Sequence, residues 1–168
     1  ALNILARGAD GVYLFNFFQN QPVSSSAPDQ WTTDQFAETL RAMRSSEILS
    51  RLPRHHVVTF RDIRAPGEPP DYPLPASGMH LHFRLATGPK PVGRQVQLAI
   101  RVDEASLAQP PVIRLNSVPC PTKPQLSDSL LTYDVPAGAL MDDAQVIEVE
   151  SRHGKPLHIT GVECHISG

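Results

Sequence analysis

Apolar residues in this chain recur with one period before about Arg54 and with another after it. Leu2, Ile4 and Leu5 sit at helical spacing, and Gly8 stands where a glycine closes a helix. Ala9-Asp10-Gly11 reads as a turn. Val12 to Phe18 is then apolar almost without alternation, the pattern of a strand covered on both faces in a parallel sheet. Residues 19–31 are a polar Ser/Pro loop. Thr32 and Gln35 form the two ends of a capping box, and Phe36, Leu40 and Met43 follow at i, i+4 and i+7, which predicts an amphipathic helix. Ile48, Leu49 and Leu52 make a shorter apolar turn closed by Pro53. Helix, turn, strand, loop and helix in this order are the grammar of an α/β unit.

Beyond Arg54 the period becomes two. The β-rich segment His56–Ile63 is followed by a proline-rich loop over residues 64–78. In Met79–Leu85, alternation sends Met79, Leu81, Phe83 and Leu85 one way and His80, His82 and Arg84 the other. In Gln95–Val102 the core set is Val96, Leu98, Ile100 and Val102. Val112–Val118, Leu130–Val135, Gln145–Glu150 and Leu157–Ile166 are further strands. The last changes phase, from Leu157 and Ile159 to Val162, Cys164 and Ile166, so a bulge is expected at Thr160-Gly161. About seven short strands separated by turn signals predict an antiparallel β-sandwich. Seventeen prolines against ten glycines suit short strands joined by stiff turns.

The composition narrows the field of partners. A net charge of −2 with scattered basic residues gives no footprint for nucleic acid or for an anionic membrane surface. No run of about 18 apolar residues occurs, so neither a membrane-spanning helix nor a membrane partner is expected. The start lacks the basic region and cleavage site of a leader, which says nothing about export if the chain begins inside a longer protein. Cys120 and Cys164 are too few for a disulfide framework or a four-thiolate zinc site, and two buried thiols are expected.

Gly8-Ala-Asp-Gly-Val-Tyr-Leu-Phe-Asn-Phe-Phe18 resembles the passage from the seventh helix to the eighth strand of bacterial (β/α)8-barrel glycoside hydrolases and related glycosidases. The helix ending Ile48-Leu-Ser-Arg-Leu-Pro53 resembles the closing helix of such a barrel. Val112-Ile-Arg-Leu-Asn-Ser-Val118 and Tyr133-Asp-Val-Pro-Ala-Gly-Ala-Leu140 before Gln145-Val-Ile-Glu-Val149 resemble galactose-binding-like jelly rolls, the kind of sandwich those enzymes carry at their C-terminus. Ser117 stands where a glycine is usual, and Ala144-Gln145 where Gly-Asn is frequent. The resemblance implies a mainly β chain: an antiparallel jelly-roll-like β-sandwich over residues 55–168, preceded by a strand–helix remnant of a (β/α)8 barrel over residues 1–54.

Barrel active sites lie at the C-terminal ends of the strands. The resemblance therefore makes Asn16, Phe18 and Gln19 the candidate substrate-binding residues, with amides for sugar hydroxyls and a ring for a pyranose face. The competing reading has Phe15, Phe17 and Phe18 packing strand against helix and the amides acting as caps. No catalytic residue is expected in the chain. Glycoside hydrolysis needs two carboxyl groups about 5–10 Å apart. Asp10 lies at the wrong end of its strand, while Asp29, Asp34, Glu38 and Glu47 fall in a loop or on a solvated helix face.

His80-Leu81-His82 is the only metal-like spacing, because alternation puts both imidazoles on one strand face. No glutamate follows at the interval a cupin uses, and Arg84 shares the face, so neither metal nor cofactor is expected. His158 or His165 would complete such a site only through an accident of folding. His55-His56 reads as a surface or interface pair at the junction. Cys164 alternates with Val162 and Ile166 as a small core residue, and no nucleophile elbow or phosphate loop occurs. His80, His82, Arg84, Gln95, Gln97 and Arg101 form a polar set suited to glycans or simply to water.

The expected function is that of a C-terminal fragment of a glycoside hydrolase in carbohydrate metabolism, its sandwich ancillary and stabilising. The alternatives are an independent carbohydrate-binding module, which an exposed Tyr72 or Tyr133 would favour, and a ligand-free structural or oligomerisation domain. The apolar strand Val12–Phe18 is not stable alone. Its expected partner is the rest of the barrel, another chain, or the sandwich.

Overall fold

The computed structural model describes residues 2–6, 8–10, 32–58, 73–121, 124–127, 129–136, 138–152 and 154–167. The expected strand Val12–Phe18 and the segment 59–72 lie outside the described residues. The chain divides into two units, Ala1–Leu52 and Pro53–Gly168.

The described residues of the first unit form three helices: α1 (Leu2–Ala6), α2 (Thr33–Ala42) and α3 (Ser46–Arg51). Gly8 ends α1 at φ +90°, with its N–H donating to the Leu5 carbonyl at 3.0 Å. The expected capping box opens α2. Thr32 Oγ1 accepts from the Gln35 N–H at 3.2 Å, and Gln35 Oε1 accepts from the Thr32 N–H at 2.9 Å. Two of the four orphan donors of the helix start are thereby satisfied. The side chain of Ser45 caps α3 in the same way, accepting from the Ile48 N–H at 3.3 Å. Phe36, Leu40 and Met43 are half-buried, whereas Ile48 and Leu52 are exposed.

The second unit is a mainly β body of two antiparallel sheets. Its elements are β1 (Arg54–Val57), β2 (Ala76–Gly78), β3 (His80–Gly88), β4 (Val96–Val102), the short helix α4 (Glu104–Leu107), β5 (Val112–Leu115), β6 (Val118–Pro119), β7 (Gln125–Ser127), β8 (Leu130–Asp134), β9 (Asp143–Glu150) and β10 (Leu157–Ile166). Sheet I runs β1-β10-β4-β8-β7, with β2 also pairing β10, and sheet II runs β3-β9-β5-β6. The alternating residues of both sheets fill one core. Leu98, Ile100, Leu115, Leu131, Ile147, Ile159, Val162 and Cys164 are completely buried in it. Tyr133 is buried as well, and its hydroxyl donates to the Pro111 carbonyl at 3.2 Å, as a buried phenol requires.

The phase change in β10 is a bulge, with the register against β4 shifting between Ile159 and Gly161. Gly161 is the residue that fits there, since a Cβ would stand 3.1 Å from the Cβ of Arg101. Three expectations need correction. Val112–Val118 is not one strand: Asn116 and Ser117 have φ of +50° and +67°, and the chain reverses there into β6. Two successive residues with positive φ are the requirement of a type I′ hairpin turn. Met79 is exposed because it precedes β3, where its carbonyl accepts from the Ser151 N–H at 2.9 Å. The polar set also divides, with His80, His82 and Arg84 on sheet II and Gln97 and Arg101 on sheet I.

Ser117 carries a side chain where the turn favours glycine. Relieving the left-handed conformation is worth roughly 1–2 kcal/mol, against about 0.5–1 kcal/mol for the freer unfolded glycine. Ser117→Gly is therefore expected to be more stable than Ser117→Ala by about 0.5–1 kcal/mol, since both give up the hydrogen bond from Ser117 Oγ to Glu148 Oε1 and only glycine relieves the conformation. The urea midpoints of the two variants measure this, and an equal or lower midpoint for Ser117→Gly would contradict it.

Candidate functional site

Two groups of ionisable side chains stand on outward surfaces of the described sandwich, one on each sheet. On sheet II, His80 stands opposite Glu150 and His82 opposite Glu148. Carboxylates therefore do face the His-x-His pair, from the neighbouring strand and not from downstream in the same one. Both are already engaged. Arg114 Nη1 donates to Glu150 Oε2 at 2.8 Å, and Ser117 Oγ donates to Glu148 Oε1 at 3.1 Å. The hydrogen bond from Arg114 holds the Glu150 carboxyl below the usual carboxylate range and raises the guanidinium in return. His158 and His165 lie on β10 of sheet I, away from this pair.

The second surface is on sheet I, at the edge where β1 joins β10. The register sets His55 opposite His165, His165 opposite Gln97, and Gln97 opposite Asp134, a polar row across four strands. Gln97 Nε2 donates to Asp134 Oδ1 at 2.9 Å. His55 and His165 stack with ring centroids 4.2 Å apart and planes 17° from parallel. Glu163, two residues before His165 and on the same face, reaches both rings. Its Oε2 lies 2.8 Å from His55 Nε2 and 3.2 Å from His165 Nε2. The side chain of Glu163 is only 20% exposed, against 53% and 45% for the two imidazoles, so the shared carboxylate is the most shielded member. An open cleft of about 320 Å³ adjoins the group, lined by His55, His165, Gln95, Gln97 and Arg54 among others.

His56 behaves differently from its neighbour because β1 alternates. His55 points outward, while His56 is half-buried and its Nε2 has no hydrogen-bond partner among the described residues. Burial, with help from the Arg54 and His55 charges, lowers its pKa to about 4. The expected surface pair is thus split between an outer and an inner face. Arg54 is buried and anchors the same strand to sheet II, its Nη1 donating to the carbonyls of Thr87 at 3.0 Å and Pro89 at 2.9 Å.

Asn16, Phe18 and Gln19, the candidate sugar contacts, lie outside the described residues, as do Trp31 and Tyr72. Tyr133 is buried and does not offer the exposed ring that a glycan platform needs. The grouping of His55, Glu163 and His165 was not legible in the sequence, which shows Glu163-x-His165 on one strand face but not which strand lies beside it. No protein-family model matches the chain, and no curated protein matches it significantly. No helix among the described residues is long and apolar enough to cross a membrane.

Both cysteines are buried free thiols. Burial pushes Cys120 up to about 11 and Cys164 up to about 12, so neither supplies a thiolate near neutral pH. In the native protein at pH 8, neither is expected to react appreciably with Ellman's reagent within minutes, and both should react on unfolding in guanidinium. Rapid release of one equivalent of chromophore from native protein would show an accessible, activated thiol instead.

Proposed function

We propose that this chain is the C-terminal part of a glycoside hydrolase-like protein, and that its sandwich is an ancillary, stabilising domain beside a (β/α)8 barrel. The observation that carries this reading is the junction at Leu52/Pro53. The capped helices α2 and α3 end there, and a sandwich with its own closed core begins, which is the order expected of a closing barrel helix followed by an appended β domain. The nesting of the strands favours a jelly roll. In sheet I, β1 lies beside β10 and β4 beside β8, while in sheet II β3 lies beside β9 and β5 beside β6.

On this reading the catalytic carboxylates belong to barrel strands upstream of this sequence. Asn16, Phe18 and Gln19 would line the sugar site from the last strand. A second reading, an independent glycan-binding module, draws on the polar cleft beside His55, Gln95 and Gln97.

The experiment is to identify the native protein in its host with an antibody raised against the sandwich. The expected species exceeds 168 residues by most of a barrel, which is about 250 residues. It should also hydrolyse aryl glycosides. A native species of 168 residues would overturn the proposal. Retardation of that short species on polysaccharide gels would then establish the second reading.

A further inference from the structure

We propose that His55, Glu163 and His165 form a binding site for a divalent first-row transition metal ion, of which zinc is the probe of choice. One nitrogen from each histidine and one oxygen of the glutamate lie within 4.8 Å of one another on the outer face of sheet I. Ligand atoms each about 2.1 Å from one ion are separated by about 3.0 Å at a right angle and about 3.4 Å in a tetrahedron. The two nitrogen–oxygen separations, 2.8 and 3.2 Å, fall within a few tenths of an ångström of such edges. The remaining adjustment is between the two rings, whose stacked planes lie 17° from parallel; at least one of these half-exposed rings turns out of the stack for both nitrogens to point at one ion.

The donor set decides the class of ion. Two imidazoles and one carboxylate suit the borderline metals and offer too few oxygens for calcium or magnesium. The site is also fixed by backbone pairing. His55 and His165 are direct register partners, and Glu163 shares the strand and face of His165. Three protein ligands leave at least one position open, and the adjoining cleft gives water or a small anionic or hydroxylated ligand access to it. Arg54 lines the same cleft, but its guanidinium is tied to the carbonyls of Thr87 and Pro89.

The ion would join β1 to β10. β1 stands at the end of sheet I among the described residues, and a ligand that binds only the folded arrangement stabilises it by mass action. The site would therefore act as a staple on the first strand of the sandwich as well as a place to bind ligand.

The test is titration of the untagged full chain with Zn²⁺ by calorimetry, with thermal melts in the presence and absence of excess Zn²⁺. One equivalent is expected to bind and to raise the melting temperature. His55→Gln, Glu163→Gln and His165→Gln should each weaken binding at least ~10-fold. The side chains of His55 and His165 are about half exposed, so metal-free His55→Gln and His165→Gln should melt close to the parent, and that comparison separates lost binding from lost folding. His82→Gln, on the other sheet, should leave binding unchanged. Absence of binding by the parent would overturn the proposal. So would binding that survives all three substitutions, or that His82→Gln abolishes.

Discussion

The register of β10 against β4, set by one extra residue at the bulge before Gly161, is the constraint on which the sandwich and its outer surface both depend. β10 is the longest of the described strands, and it pairs with β1 and β2 on one side and β4 on the other. Because strand side chains alternate, a slip of one residue exchanges the two faces. Before the bulge Leu157 and Ile159 enter the core, and after it Val162, Cys164 and Ile166 do. Without the extra residue those three would face water, and Glu163 and His165 would enter a core that offers them no partners. Burying a carboxylate there would cost several kcal/mol. The same insertion that keeps the core apolar thus delivers Glu163 and His165 to the outer face beside His55.

A second constraint acts at the end of the sandwich where the loops meet. Gln145 is fully buried, and its amide is shared among three segments. It donates to Thr87 Oγ1 at 2.8 Å and to the Met141 carbonyl at 2.7 Å, and it accepts from Asn116 Nδ2 at 2.7 Å. Asn116 in turn donates to the Ala139 carbonyl at 2.7 Å and accepts from the Val146 N–H at 2.8 Å. Thr87 lends its carbonyl to Arg54. A chain of polar contacts therefore runs from the β5–β6 turn to β1, joining the two sheets at one end. Such a network stabilises only when its members are satisfied, and a buried polar group without a partner costs about 1–3 kcal/mol.

The sequence revealed those features whose cause is local. The capping box of α2 lies within four residues, the glycine stop of α1 within one turn, and the bulge in β10 within one strand, so each could be read from neighbouring residues. The core sets of β4 and β10 were legible for the same reason, since period-two burial needs no knowledge of the partner strand. What escaped was set by pairing. β7 has no alternating burial, all three of its residues being exposed, so its place beside β8 leaves no trace in the pattern. The break at Asn116-Ser117 was masked because serine occupies a position that signals a hairpin only when it holds glycine. The division of the polar residues between two faces, and the meeting of His55 with His165, follow from strand order across more than a hundred residues.

That distinction also bears on where chemistry can sit in such a body. The interior is filled by Tyr133, Leu98, Ile100 and their neighbours, and the two thiols within it are held protonated by burial. Close-packed cores of this kind leave little room for a ligand. Binding is then left to the outer faces and the edges. An outer face is normally solvated on every strand, so isolated polar residues there carry no weight. Concentration does. On sheet II, each glutamate facing the histidines already has a hydrogen-bond partner, and those contacts hold strands and a turn together. On sheet I, one carboxylate shielded to 20% exposure is shared by two stacked imidazoles at a strand edge, next to a cleft. Both ring nitrogens lie at hydrogen-bond distance from that one oxygen, although the stacked planes are nearly parallel. As surface ion pairs these contacts contribute only about 0–1 kcal/mol each, so stability alone gives little account of the gathering.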